Sequence, residues 1–126
     1  MGRRAVSADV TGLGPYSPAI VAEGRFVYVS GQGPLRGDRY DPGEGVAAET
    51  RLALDNMFTI LAAAGCGPAD VVRCGVFLVD IADFEQMNGA YGAAFPDPPP
   101  ARTTVQVAAL PGGIRVEIDC VAVLPE

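Results

Sequence analysis

The chain has 126 residues, of which 49% are hydrophobic and 19% charged, and its formal net charge is −6 at pH 7. These values predict a single globular domain over residues 1–126, and the negative charge counts against a nucleic-acid partner. No apolar run is long enough to cross a bilayer, and no apolar segment follows Arg3 and Arg4, so we expect neither a membrane partner nor a signal peptide. The three cysteines are odd in number and widely spaced, which favours a reducing, cytoplasmic location.

Missing residue types restrict the chemistry further, because the chain has no His, no Trp and no Lys. Without Lys there is no Schiff-base lysine, no lysine-held pyridoxal phosphate and no P-loop lysine. Without His, the Ser-His and Cys-His nucleophile pairs and the His-based metal sites are excluded. Asp, Glu, Tyr and Cys remain for proton transfer, and we predict neither a metal nor a cofactor.

The N-terminal part of the chain is predicted to be mostly extended. A short strand is predicted around Ala5 to Val10, and a turn-rich loop follows at residues 14–18. Two extended runs, Ala19 to Ala22 and Phe26 to Ser30, are separated by three residues that include a glycine. This spacing predicts a β-hairpin.

A glycine-rich segment leads from the second run into the first helix. Ser30-Gly31-Gln32-Gly33-Pro34 would let backbone approach a ligand closely, although an ordinary strand exit explains the same residues. Residues 35–45 are predicted to form a loop, and Val46 to Ala64 a helix that Gly65 and Pro68 bring to an end. One helical stripe is assigned to the core: Thr50, Leu54, Met57, Phe58 and Leu61.

A buried strand and a second helix are predicted next. Val71 to Val79 is almost continuously apolar, which favours a strand buried on both faces. Asp83 with Gln86 has the spacing of a capping box, and Pro96 is predicted to end the helix that follows. Asn88 lies beside the apolar stripe of this helix, either at the surface or in contact with a ligand.

The first candidate site residue follows a run of prolines. Pro98-Pro99-Pro100 predicts a stiff, extended connector that leads into an alternating, β-branched strand. On that strand Arg102, Thr104 and Gln106 share one face and offer a guanidinium, a hydroxyl and an amide to a small polar ligand. An arginine that simply points into water is the alternative.

The last predicted strand, Ile114 to Val123, carries Glu117. If Leu110-Pro111-Gly112-Gly113 turns this strand back onto the Arg102 strand, Glu117 comes near Arg102; otherwise it is a solvent-facing carboxylate. The element order predicts an α+β fold with both helices on one face of the sheet, and the other face is most simply covered by oligomerisation.

Several short segments, in a fixed order, carry a family resemblance. They are Gly14-Pro15-Tyr16-Ser17-Pro18-Ala19, Val29-Ser30-Gly31-Gln32, the helix from Thr50 through Asn56 to Ala63-Ala64-Gly65, Asp83-Phe84 with Met87-Asn88 and Tyr91, Pro100-Ala101-Arg102, and Val116-Glu117-Ile118. With them, the chain from Gly14 to its C-terminus resembles the Rid family (reactive intermediate deaminases, also called the YjgF family). The resemblance implies a chorismate-mutase-like α+β fold, with a mixed sheet and two helices on one face, and a homotrimer with a cleft between each pair of subunits.

The resemblance also implies roles for individual residues. Arg102 corresponds to the arginine that clamps the substrate carboxylate, and Glu117 to the residue that positions the attacking water. Four further residues match positions that line the cleft: Tyr16, Ser30, Gly31 and Asn88. The implied activity is hydrolysis of reactive 2-imino and 2-enamino acids, small-molecule substrates, to 2-keto acids and ammonia, which positioning and one carboxylate can support.

One departure from the family pattern concerns Thr104, because many members carry a cysteine two residues after the arginine. Three functions therefore stay open: an imine or enamine deaminase, including one recruited to a particular biosynthetic or catabolic pathway; a non-catalytic trimer that binds small carboxylates; and an RNA-cleaving protein. The acidic balance and the absence of His and Lys make the last the poorest fit.

Overall fold

Both helices pack on one face of a four-stranded sheet, in a computed structural model that describes residues 2–10 and 12–125. The strands within these residues are β1 (Arg3–Val6), β2 (Ala19–Ala22), β3 (Phe26–Gln32), β4 (Leu35–Arg36), β5 (Arg39–Tyr40), β6 (Val71–Leu78), β7 (Ala101–Gln106) and β8 (Val116–Val123). The helices are α1 (Val46–Ala63) and α2 (Phe84–Gly92). In the same residues, no helix is long and apolar enough to cross a membrane.

The main sheet has the strand order β3-β8-β6-β7. β8 runs antiparallel to both β3 and β6, whereas β6 and β7 are parallel, so the sheet is mixed. One buried cluster joins alternate residues of the central strands to both helices: Cys74, Val76, Leu78, Val116, Ile118, Cys120, Leu54, Met57, Met87 and Tyr91. The predicted α+β fold with both helices on one face is confirmed.

Helix α1 follows its sequence pattern closely. Leu54, Met57 and Leu61 are fully buried, as the predicted stripe requires. The helix ends one residue before the predicted Ala64, and Gly65 follows it with a φ of 90°, the left-handed conformation that favours glycine.

Helix α2 begins differently from the prediction, and the capping box at Asp83 is wrong. Asp83 already has a near-helical backbone (φ −83°, ψ 4°), so its carboxylate does not cap the helix. A short 3-10 turn precedes the helix, and there the Asp80 carboxylate accepts a hydrogen bond from the Ala82 N–H at 2.9 Å. The helix also ends at Gly92, before the predicted stop at Pro96.

The predicted hairpin between Ala19–Ala22 and Phe26–Ser30 is also wrong. β2 pairs with β1, from Arg3 opposite Ala22 to Val6 opposite Ala19, while β3 pairs with β8. The alternation of side chains in β2 and β3 is compatible with these distant partners. The short connection between β2 and β3 therefore does not force the two strands to pair with each other. β1 accordingly lies at residues 3–6, earlier than the predicted strand around Ala5 to Val10.

The stretch 35–45, predicted as a loop, contains the small hairpin of β4 and β5. Leu35 pairs with Tyr40, and the turn between the strands includes Gly37 with a φ of 62°. Arg36 donates to the Asp41 carboxylate at 2.6 Å, which closes this hairpin. The sequence pattern of glycines and charges did not indicate these two strands, because each is only two residues long.

The predicted pairing of the last two strands with each other is wrong, because β6 lies between β7 and β8. Cys74 on β6 is directly opposite Arg102 on one side, and Phe77 is directly opposite Glu117 on the other. Residues that pair directly across strands project from the same face. Cys74 belongs to the buried helix-side face, and Phe77 alternates to the opposite face. Arg102 and Glu117 therefore project from opposite faces of the sheet.

Candidate active site

Arg102 is enclosed by aromatic rings on the helix side of the sheet. Its guanidinium carbon lies 4.9 Å from the ring centre of Tyr16, 4.8 Å from that of Tyr91 and 5.6 Å from that of Phe84. Nη1 contacts the Met87 sulfur at 3.8 Å. Stacking on aromatic faces stabilises a guanidinium and fixes its plane.

No carboxylate neutralises this cation within the part of the chain that the structure describes. The ion pairs there are Arg36–Asp41 and Arg115–Glu49. Nε and Nη2 of Arg102 are buried and have no hydrogen-bond partner among residues 2–10 and 12–125. Burial lowers the pKa of Arg102, and the neighbouring hydroxyls of Tyr91 and Tyr16 partly oppose that effect. Because arginine stays protonated in proteins, the site holds a buried charge that an anionic ligand would compensate.

The proline run holds the start of β7 through its carbonyl groups. Prolines have no N–H, so these residues can only accept hydrogen bonds. The Pro98 oxygen accepts from Arg3 Nη2 at 2.8 Å, and the Pro99 oxygen accepts from the Ser17 hydroxyl. The Pro100 oxygen accepts from the Ser17 N–H at 3.0 Å. The two Ser17 bonds tie the loop at residues 12–18 to the start of the strand that carries the arginine, and the Arg3 bond ties β1 to the proline run.

That loop places Tyr16 over Arg102. The Leu13 N–H donates to the Tyr16 hydroxyl at 2.9 Å, which fixes the ring. Gly14 lies so close that a Cβ there would be 3.0 Å from Arg102 Nη2 and 3.1 Å from Asn88 Nδ2. Tyr16, Asn88 and Arg102 are thus brought together, and we call them the arginine cluster. Asn88 Oδ1 is buried and, like Nε and Nη2 of Arg102, has no hydrogen-bond partner among the described residues.

A cavity of about 180 Å³ opens beside the arginine cluster. Its lining residues are Leu13, Tyr16, Phe84, Arg102 and Thr104. Phe84 and Tyr91 recur at helical spacing in the sequence, and their contact with Arg102 leaves no signal in that spacing. Gln106, grouped with Arg102 and Thr104 by alternation, instead accepts a hydrogen bond from the Ile81 N–H at 2.8 Å.

The other candidate residues form a second group, which we call the glutamate cluster: Ser30, Gly31 and Glu117. In the β3–β8 pairing, Val29 is opposite Cys120 and Gln32 opposite Ile118, so Ser30 and Gly31 form a bulge between them. A Cβ on Gly31 would lie 2.5 Å from Glu117 Oε2, so the glycine gives the carboxylate its space. The expected approach of Glu117 to Arg102 through pairing of their strands does not occur, since the two clusters lie on opposite faces of the sheet.

The buried thiols lack the properties of a nucleophile. Cys74 lies directly opposite Arg102 and beside the Tyr91 hydroxyl. Burial raises the pKa of Cys74 to about 12 and that of Cys120 also to about 12. Both thiols are therefore protonated near neutral pH, and a thiolate is the form that attacks or binds a metal. Among the described residues, no group of three or more His, Cys, Asp or Glu is placed to hold a metal ion.

Known proteins with a similar sequence and fold identify the family of this chain. The family model described as Endoribonuclease L-PSP matches residues 7–124. The crystal structure of YyfB from Yersinia pestis, a protein of unknown function from the conserved Rid family, matches with a TM-score of 0.84 at 29% identity, over 98% of this chain and 100% of that one. The chain belongs to the Rid family.

Curated relatives of this Rid chain carry different names. One is Protein DfrA of Myxococcus xanthus, 43% identical over 98% of this chain and 97% of the relative. Another is the 2-iminobutanoate/2-iminopropanoate deaminase of Bos taurus, 47% identical over 88% of this chain and 81% of the relative. The family predicted from the sequence is confirmed.

Proposed function

We propose that this Rid protein is an imine and enamine deaminase that converts 2-imino and 2-enamino acids to 2-keto acids and ammonia. The observation that carries the proposal is the buried, unpartnered Nε and Nη2 pair of Arg102. These two nitrogens lie on one edge of the guanidinium and match the two oxygens of a carboxylate. The name of the Bos taurus relative, a deaminase of two 2-imino acids, supports the same substrate class.

The arginine cluster would bind and orient the substrate. Arg102 donates two hydrogen bonds to the substrate carboxylate, and the rings of Tyr16, Phe84 and Tyr91 hold the guanidinium in that plane. Asn88 Oδ1 is a free acceptor nearby, suited to an N–H of the substrate. Fixing the carboxylate fixes the adjacent C=N carbon, which supplies the positional part of catalysis.

Glu117 would direct the attacking water. The water oxygen forms a bond to the imine carbon, the C=N electron pair moves to nitrogen, and Glu117 accepts the water proton and returns it to that nitrogen. Glu117 then transfers the hydroxyl proton to the same nitrogen, the C–N bond breaks so that ammonia leaves with its electron pair, and the electron pair of the O–H bond forms the C=O bond of the keto acid. Imine, water, keto acid and ammonia balance in this sequence without any cofactor, and a single positioned carboxylate carries the proton.

A complete site would need two copies of the chain, because the arginine and glutamate clusters lie on opposite faces of the sheet. We infer a homotrimer in which Ser30, Gly31 and Glu117 of one subunit face the Arg102 cavity of the next. The open sheet face supports this assembly, since Tyr28 is 77% and Val105 40% exposed. Residues 1–126 would then form one Rid-like domain per subunit, in the cytoplasm, with no nucleic-acid partner because the net charge is −6.

A carboxylate-binding protein without catalysis is the second candidate. The specific observation in its favour is that the arginine cluster, within one chain, can hold a carboxylate without Glu117. The two candidates differ in one measurable property, the rate of imine hydrolysis above the spontaneous rate.

Glu117→Gln separates these candidates. The substitution keeps the size and one acceptor oxygen but removes the basic carboxylate, so we expect 2-keto acid binding to remain while imine hydrolysis falls roughly 10²-fold or more. The imine would be generated by an amino-acid oxidase or a pyridoxal-phosphate enzyme, and keto-acid release followed with a coupled dehydrogenase.

Glu23→Gln is the matched control, because Glu23 is an exposed glutamate that belongs to neither cluster. A parent protein that does not exceed the spontaneous rate would establish the binding protein instead. A Glu117→Gln protein as fast as the parent would make Glu117 an ordinary strand residue.

A further inference from the structure

Thr104 has a buried hydroxyl that the protein itself does not use. It lies on β7 two residues after Arg102, opposite Val76, on the helix side of the sheet. Its Oγ1 is buried and has no hydrogen-bond partner in the part of the chain that the structure describes. The residue nevertheless lines the cavity of about 180 Å³ that Arg102 and Tyr16 also line.

Two other threonines, both on α1, have hydroxyls that bond to backbone carbonyls of that helix. Thr50 Oγ1 donates to the Val46 carbonyl at 2.7 Å, and Thr59 Oγ1 donates to the Asp55 carbonyl at 2.9 Å. On a strand, Thr104 has no carbonyl one helical turn back to reach. A buried hydroxyl without a partner destabilises the folded state, and valine would fill the same volume without that penalty. A hydroxyl here is useful only when something in the cavity pairs with it.

We propose that Thr104 is a further substrate-binding residue, whose hydroxyl donates a hydrogen bond to the carboxylate held by Arg102. The inference rests on the proposed function and extends it to a third donor. Arg102 Nε and Nη2 are the other two donors left without partners in the same pocket. Two carboxylate oxygens offer about four acceptor positions, so they can satisfy all three donors at once. The same cavity wall carries Leu13 and Phe84, so the substrate side chain that fits beside these donors is apolar.

Thr104→Val tests the proposal by removing the hydroxyl while keeping the shape. With 2-oxobutanoate as the probe, we expect Kd to rise about tenfold or more, the range for a hydrogen bond to a charged group. KM for the corresponding imine should rise by a similar factor with kcat little changed, because the bond is made in ground and transition states alike. The urea midpoint of the free protein should stay the same or rise. Thr104→Ser should restore binding.

Thr59→Val is the control, since it removes an exposed threonine hydroxyl on α1, and it should leave Kd unchanged. If Thr104→Val binds 2-oxobutanoate as tightly as the parent while Arg102→Ala does not, Thr104 is not a binding residue and the proposed function stands. If Thr104→Val weakens binding only together with a loss of folded stability, and Thr104→Ser does not restore binding, the role of Thr104 is packing and the inference is overturned. If neither the parent nor any variant binds the keto acid, the proposed function itself fails.

Discussion

At the scale of single residues, Arg102 carries a full positive charge in surroundings that exclude water and counterions. Three aromatic rings pack around it, and the hydrogen-bonding edge formed by Nε and Nη2 is unpartnered. An arginine that merely pointed into solvent would satisfy these nitrogens with water. The arrangement therefore favours the carboxylate-binding interpretation over the solvent-exposed one.

Arg102→Ala should abolish most of the affinity for a 2-keto acid. The loss of a buried, charge-assisted pair costs about 2–5 kcal/mol, so Kd should rise roughly 30-fold or more. Isothermal calorimetry with 2-oxobutanoate measures the change directly. Arg51→Ala, at an exposed position of α1, provides the control for loss of one positive charge. Equal affinity of Arg102→Ala and the parent would disprove the carboxylate clamp.

The family resemblance pointed to Tyr16, Asn88, Arg102 and Glu117 as candidate site residues, but the sequence did not show which of them lie together. Strand alternation placed Arg102 and Glu117 on strands without showing that these residues project from opposite faces of the sheet. Phe84 could not be assigned to the site, because an aromatic residue that packs in a core and one that walls a cavity have the same helical spacing.

At the scale of elements, local signals gave the helices and most strands, but not which strands pair. A strand with alternating side chains can pair with any strand whose faces have matching polarity. The sequences of β7 and β8 therefore do not indicate that β6 lies between them. The consequence for the site is large, because the register of β7 and β8 on β6 directs Arg102 and Glu117 to opposite faces.

The central strands also predict how stability depends on pH. Cys74 and Cys120 are directly opposite each other on β6 and β8, and burial raises the pKa of each thiol to about 12. A thiol in the unfolded chain has a pKa of about 8.5. Below that pH the thiols are protonated in the folded and unfolded chains alike, and the free energy of unfolding has its full value. Above it the unfolded chain releases protons that the folded chain retains, and the free energy of unfolding falls until about pH 12.

We therefore expect the free energy of unfolding to fall by up to about 1.4 kcal/mol per pH unit for each buried thiol between about pH 9 and 10. Urea titrations with a reductant present would measure this slope. Cys120→Val should remove one contribution and make the slope shallower. An unchanged slope in Cys120→Val would mean that the thiol titrates alike in both states.

At the scale of the whole molecule, the two faces of the main sheet carry different groups of residues. The helix-side face contains the core and the arginine cluster, and the open face contains the glutamate cluster with exposed Tyr28 and Val105. The α+β class could be predicted because helix and strand periodicities differ. The separation of the clusters could not, because it depends on strand order, and strand order depends on contacts distant in sequence.

Light scattering at micromolar concentration should give a mass about three times the 13.0 kDa of one chain. Val105→Asp places a charge on the open face and should lower both the mass and the hydrolysis rate, because the site would lose its second subunit. Ile60→Asp is matched in exposure, at 40% for both residues, and lies on α1 away from that face, so it should change neither. A parent protein that is monomeric would leave the two clusters apart and remove the proposed catalytic site.

The outer strands of the main sheet, β3 and β7, also affect the tendency of the protein to aggregate. An outer strand offers unpaired backbone groups to any other extended chain, and regular edges promote unwanted sheet growth. β3 is interrupted by the bulge at Ser30 and Gly31, which twists its edge. β7 is preceded by three prolines that cannot donate, and Ser17 bridges to Ala101 at its start. The residues that shape the proposed site thus also shorten both edges, and this protects the sheet against uncontrolled strand addition.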